Sequence, residues 1–306
     1  MKTFALAVVC LAAILASACT DSADALSQAN ATQAEGAPYV LKGTQVWTVP
    51  DPVSGRNYEV FVSLPASYET SPDRRYPVLY VTDADYAFPI IRQIARRVNL
   101  EGPVIEEFIL VGLSYSQGDS ATVSRNRDYT PTANGPASAG SMLHGGGPAY
   151  QTYLKQQAIP FIENRFRADP AHRVLLGHSY GGLLGAQILF TDPMLFQGYV
   201  LGSPSFWFDA RHIMMMEASY AHTHSDLPAN VFMYIGEYET PGPSRRNPNI
   251  DMVGDVRSME RTLKSRGYAH LQVQSLVLSD EDHLTVAPVG FTRALMAVLP
   301  AERQQQ

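Results

Sequence analysis

Cysteine is nearly missing from this chain. There are only two, and Cys10 lies in an apolar leader, so no disulfide can brace the folded part and its stability must come from core packing. A surplus of positive charge is missing too. Lys and Arg number 23 against 29 Asp and Glu, a net of -6, which argues against a nucleic-acid partner, because such a partner needs clustered cations to displace counterions. No H-E-x-x-H and no paired-Cys spacing occurs, so zinc chemistry has no sequence signal and no metal or organic cofactor is called for. Charged residues are few, at 17%, while 45% are hydrophobic; a chain of this length and composition can bury a large core.

The N-terminus reads as a targeting signal. One Lys, an apolar run too short to span a bilayer comfortably, and the small residues Ala16, Ser17 and Ala18 precede Cys19. This resembles a bacterial lipobox, with Ala in place of Leu three residues before the Cys. Residues 1–18 are expected to be removed and Cys19 to carry lipid, which would make the protein an exported periplasmic or outer-membrane lipoprotein that meets the membrane only through that anchor. A plain signal peptide cut near Ala18 is the alternative, and it would leave Cys19 as an odd thiol. Residues 19–39 are small and polar and read as a tether. A single catalytic domain is expected over 40–300, followed by a tail, 301–306.

From residue 45 onward eight β-rich apolar runs recur: QVWTV, NYEVFVSLP, PVLYVTD, FILVGLS, RVLLGHS, GYVLGSP, NVFMYIG and LQVQSLVL. PDPVSGR between the first two is a turn signal and predicts an antiparallel hairpin. The later runs are continuous enough for parallel strands covered on both faces. Between them PIIRQIARRV, AYQTYLKQQAIPFIENRF, GGLLGAQILF and VGDVRSMERTLKSRG repeat apolar residues at helical spacing. The expected class is therefore α/β, with a mostly parallel eight-stranded sheet, an N-terminal hairpin and helices on both faces; one or two of the eight strands are expected to be misplaced. Ser114 to Pro148, crowded with Gly, Ser, Pro and Thr, reads as a long structureless insertion at the ligand-binding edge.

Chemistry concentrates in RVLLGHSYGGLLGAQILF, where a strand meets Gly177-His178-Ser179-Tyr180-Gly181 and passes straight into a helix. G-x-S-x-G alone turns up by composition in roughly one chain in ten of this length. The flanking strand and helix give it weight, because a nucleophile elbow needs that context and the helix N-terminus favours developing negative charge. A serine hydroxyl needs a base, and in this arrangement the order is Ser, acid, His. His283 in SDEDHLTV is the candidate base. Glu239 is preferred over Glu237 as the acid, with Asp280, Glu281 and Asp282 as competitors and a plain ion pair of Glu with Arg245 or Arg246 as the alternative. His144 is expected to be solvated, and His178 too near the elbow backbone to reach Ser179. For the oxyanion, one amide is that of Tyr180. The second should come from LYVTDADYAF, with Asp85 first choice and Ala84 or Tyr86 within the uncertainty of register.

These segments, together with VGLSYS, SRNRDYTPT, LGSPSFWFD and GEYE, make the chain resemble the putative-esterase (esterase D-like) family of α/β-hydrolases, above all the periplasmic enterochelin and siderophore esterases. The resemblance covers nearly all of 45–298. It implies an α/β-hydrolase fold and serine esterase activity through an acyl-enzyme on Ser179, with a small-molecule ester as partner, a ferric siderophore trilactone among the candidates. For such anionic substrates Arg125 and Arg127 are candidate contacts, though either could instead pair with Asp128. Trp207 is a candidate substrate-site residue, with packing under the active-site rim favoured over direct substrate contact. Feruloyl or acetyl esterase, acyltransferase and a non-catalytic binding protein on the same scaffold are the alternatives. GEYE departs from the siderophore esterases that work with a Ser/His pair and no well-placed acid.

Overall fold

The computed structural model describes residues 36–136, 143–243, 245 and 248–301. Cys19, the leader and most of the tether lie outside the described residues, as does Arg246. Residues 36–42 have no regular structure, and from Gly43 on the chain is one compact unit.

All eight apolar runs are strands: β1 (Thr44–Asp51), β2 (Arg56–Ser63), β3 (Tyr76–Thr82), β4 (Ile109–Ser116), β5 (Ala168–His178), β6 (Gly198–Gly202), β7 (Ala229–Gly236) and β8 (Leu271–Leu278). None of them is misplaced, contrary to the expectation of one or two errors. They form one sheet in the order β1-β2-β4-β3-β5-β6-β7-β8. β1 and β2 make the antiparallel hairpin, β2 is also antiparallel to β4, and β3 through β8 are parallel.

Alternation along the inner strands sorts the core into two layers. Tyr76, Val78 and Tyr80 of β3, Leu175 of β5, and Val231, Met233 and Ile235 of β7 join one large buried cluster. The residues between them, Leu79, Val81, Val174, Leu176, Phe232 and Tyr234, are buried outside that cluster, on the opposite face. That second face is covered by α1 (Ala84–Val98) and, near the C-terminus, by a helix over Val286–Val298; the two pack on each other.

In chain order the remaining helices are α2 (Ala121–Asp128), α3 (Gly147–Tyr153), α4 (Ile159–Arg165), α5 (Tyr180–Thr191), α6 (Phe208–Thr223) and α7 (Met252–Ser265), which makes the C-terminal helix α8. One wide turn, Leu154–Ala158, joins α3 to α4, so AYQTYLKQQAIPFIENRF is a continuous helical run. Two expectations are corrected. α1 begins at Ala84, ahead of Pro89, rather than at the proline. The stretch after β4 is not structureless: Ser120 accepts a hydrogen bond from the Val123 amide and starts α2.

Candidate active site

The C-terminal ends of four adjacent parallel strands carry the site. β5 ends at His178, β6 at Gly202, β7 at Gly236 and β8 at Leu278. Ser179, Ser203, Glu239 and His283 follow those ends in the same order, so the sheet gathers onto one edge groups that lie far apart in sequence.

Ser179 joins β5 to α5 with φ 60° and ψ -118°, a backbone region that side chains disfavour. The turn is that tight because its flanks are glycine. A Cβ on Gly177 would lie 2.2 Å from the Gly181 carbonyl, and one on Gly181 would lie 2.2 Å from Thr82 Oγ1. The elbow therefore thrusts the Ser179 hydroxyl off the sheet edge, where it lies 3.0 Å from His283 Nε2. His283 Nδ1 lies 2.6 Å from Glu239 Oε2. A carboxylate can only accept, so Nδ1 carries the proton and Nε2 is left as acceptor for the serine hydroxyl. Glu239 is buried, and its other oxygen accepts from Ser203 Oγ at 2.6 Å and from the Gly236 amide at 2.9 Å. The carboxylate is thus fixed on both oxygens.

Of the other acidic candidates, Glu237 is exposed and accepts from the Asp280 amide. Asp280 accepts from Tyr238, and Asp282 from the amides of Leu284 and Thr285. These groups shape the loop that carries His283, whose ring is met by the Glu239 carboxylate. Arg245 lies over the Tyr238 ring, with its guanidinium carbon 4.1 Å from the centroid.

Two helix N-termini converge beside Ser179. Tyr180 is the first residue of α5, and the contact of Gly181 with Thr82 and Asp83 brings the start of α1 against it. In α1 the amides of Tyr86 and Ala87 donate to the Asp83 carbonyl. Those of Ala84 and Asp85 stand at positions with no acceptor inside the helix, so Tyr86 is the weakest of the three expected donors. The Asp85 side chain is exposed and accepts from Ser114. Asp83 itself sits at φ 54°, with its carboxylate held by Tyr115 Oη at 2.8 Å and by Arg125 at 3.0 and 3.3 Å.

The two arginines part company. Arg125 lies 5.3 Å from the Tyr180 ring centroid, and a quarter of its side chain is exposed. Arg127 points inward. It is buried, pairs with both oxygens of Asp128 at 2.8 and 2.9 Å, and reaches Asp119 at 2.7 Å. It is therefore corrected from a substrate contact to a structural cation. Trp207 is half-buried between Tyr180 and Phe208, with centroids 6.2 and 6.3 Å away. His144, expected to be solvated, is half-buried 5.7 Å from the Phe208 ring.

Sequence reasoning missed three residues. Ser203 holds the acid, and Ser205 Oγ lies 3.4 Å from Ser179 Oγ; the SPSFW segment contains both, but as a sequence it assigns a site role to its tryptophan alone. His178 was set aside as unable to reach Ser179, yet its ring spans to the His283 carbonyl at 2.9 Å.

Sheet order and elbow together define an α/β-hydrolase. The family model described as Putative esterase matches residues 52–271, and the chain belongs to that family. It is by class a carboxylic ester hydrolase. Among curated proteins it is similar to ferri-bacillibactin esterase BesA of Bacillus subtilis, 28% identical over 273 residues that cover 85% of this chain and 91% of the relative. It is also similar to the siderophore triacetylfusarinine C esterase of Aspergillus fumigatus, at 24% identity over 79% of this chain and 88% of the relative. Among solved structures the BES protein of Bacillus cereus superposes with a TM-score of 0.75 at 24% identity, covering 87% of this chain and all of the other.

Proposed function

We propose that the protein hydrolyses siderophore esters, trilactones among them, through an acyl-enzyme on Ser179. His283 takes the Ser179 proton as the hydroxyl attacks the ester carbonyl and returns it to the leaving alcohol. It then activates the water that releases the acid. Glu239 holds the imidazole in the required tautomer and stabilises the imidazolium. The amides of Tyr180 and of Ala84 or Asp85 receive the oxyanion at two converging helix N-termini.

The observation that carries this reading is the unbroken chain from Ser179 Oγ to His283 to Glu239, at 3.0 and 2.6 Å. The siderophore substrate is supported by the activities named for the relatives. It is also supported by Arg125, a partly exposed cation beside the nucleophile that suits an anionic substrate.

Purified protein offered ferric and iron-free trilactone siderophores, feruloyl esters and acetylated sugars should open the trilactones, with turnover lost in Ser179→Ala. Trilactone turnover that persists in that variant, or is confined to the other esters, would refute the proposal. Export and lipidation at Cys19 form a separate proposal, carried by the leader sequence. Incorporation of labelled palmitate that survives Cys19→Ala would end it.

A further inference from the structure

We propose that His178 is a positioning residue for the catalytic base: from the strand that carries the nucleophile it grips the backbone of His283 and so fixes the distance between the two. The inference rests on the reading of His283 as the base.

Strand parity sets the geometry. His178 shares the parity of Val174 and Leu176 and faces the α8 side of the sheet, where Tyr234 of β7 also points. His178, Gly202 and Tyr234 are in register across three strands, and a Cβ on Gly202 would lie 2.1 Å from Tyr234 Oη. The bare Gly202 therefore lets the tyrosine and histidine rings meet, stacked at 6.1 Å with 19° between their planes.

A carbonyl oxygen only accepts, so at 2.9 Å His178 Nε2 carries the proton and donates to the His283 carbonyl. Nδ1 of a neutral ring is then the acceptor for Tyr234 Oη at 3.3 Å. Both ring nitrogens are used, and neither addresses Ser179. Neutrality is enforced by the surroundings. Burial, with His283 alongside and Arg125 adding repulsion, pulls the His178 pKa down to about 3. Across the working pH range the ring keeps one proton and one lone pair, the state the two contacts require.

The clamp matters because of where His283 sits. Its loop carries a left-handed residue, Asp280 at φ 62°, and an exposed Leu284. Backbone and side-chain hydrogen bonds elsewhere in the loop tie Asp280 and Glu281 to the β7 turn, and Asp282 to Leu284, Thr285 and Val286. The bond from His178 reaches the backbone of residue 283 itself. Because residue 178 precedes the nucleophile, one dipeptide sets both ends of the Ser179 to His283 contact. A misplacement of about 1 Å in such a pair can cost on the order of a hundredfold in rate.

The test compares His178→Leu, which removes the donor, with His178→Gln, whose amide nitrogen can occupy the Nε2 position. With p-nitrophenyl butyrate, His178→Leu should lower kcat by about ten- to a hundredfold at nearly constant KM, and His178→Gln should recover most of that loss. Wild-type kcat in the Leu variant, or equal losses in both, would overturn the proposal. If the Leu variant does not fold, nitrogen-15 NMR of the wild-type histidines decides: His178 should hold its proton on Nε2 from about pH 8 to about pH 5, and a titrating or Nδ1-protonated ring would overturn the role. Ser179→Ala run in parallel separates the two ideas. Turnover that survives there removes the assigned nucleophile, whereas turnover lost there but untouched in His178→Leu removes only the clamp.

Discussion

Glu239→Gln replaces one carboxylate oxygen by an NH2 group and should disable the enzyme through a proton in the wrong place. The carboxylate has two unlike sides. Oε1 faces two donors, Ser203 Oγ at 2.6 Å and the Gly236 amide at 2.9 Å, while Oε2 faces His283 Nδ1 at 2.6 Å. An amide nitrogen at the Oε1 position would point its hydrogens at the backbone N–H of Gly236, which cannot accept. The glutamine oxygen must therefore take that side and the NH2 group must face His283. Nδ1 then becomes the acceptor, the ring proton moves to Nε2, and Nε2 meets the Ser179 hydroxyl as a donor with no lone pair for its proton. The equivalent tautomer error in a serine protease triad costs about 10⁴ in kcat, or about 5 kcal/mol of transition-state stabilisation. A loss of 10³ to 10⁴ in kcat is expected here, with little change in KM, in steady-state hydrolysis of p-nitrophenyl esters. Ser203→Ala removes one of the two donors on Oε1 and leaves the tautomer intact, so about tenfold is expected from it. Glu239→Gln within about tenfold of wild type would refute the role given to the carboxylate.

Three further outcomes follow from the same geometry. Ser179→Gly abolishes turnover and yet should raise unfolding stability in urea by about 1 kcal/mol, because φ 60° strains a side chain and not a glycine; an unchanged or lower midpoint contradicts stored strain at the elbow. Arg127→Met leaves the buried Asp128 without its bidentate partner and should cost about 3–5 kcal/mol of stability, with KM unchanged in whatever folded enzyme remains; a raised KM at full stability would return Arg127 to the substrate. For His178, the unfolded ring binds its proton near pH 6.5 and the native ring only near pH 3. Between those values the unfolded state holds more protons, so native stability falls as pH falls. Going from pH 7 to about pH 4 should therefore cost wild type about 3 kcal/mol relative to His178→Gln, read from urea midpoints at each pH; parallel curves would contradict a neutral buried ring.

How far the sequence could be read depended on whether a signal was local. Strands bounded by Gly, Pro and Asp announced themselves, and so did the elbow, because Gly177 and Gly181 are demanded by contacts within the same few residues. The order Ser179, Glu239, His283 was legible because each follows a strand end. What could not be read was direction across the fold. Arg125 and Arg127 sit two residues apart on one short helix, and only packing against Tyr58 and Asp128 decides that the second turns inward. α2 hid in a stretch rich in Gly, Ser and Pro, where its one start signal, Ser120, is a single residue. The left-handed Asp83 sets where α1 begins, and without it the oxyanion amide could be placed only to within a residue either way. His178 carried a usable signal in its parity along β5, opposite to that of the nucleophile, but its target lies 105 residues away.

The central claim is that Ser179, activated by His283, bonds covalently to the substrate. The most direct measurement is intact and peptide mass spectrometry after brief exposure to a fluorophosphonate. One adduct per chain is predicted, on the peptide that contains Ser179. It should be absent in Ser179→Ala and form far more slowly in His283→Gln. An adduct on any other residue, or labelling of Ser179 at the same rate without His283, would contradict the account.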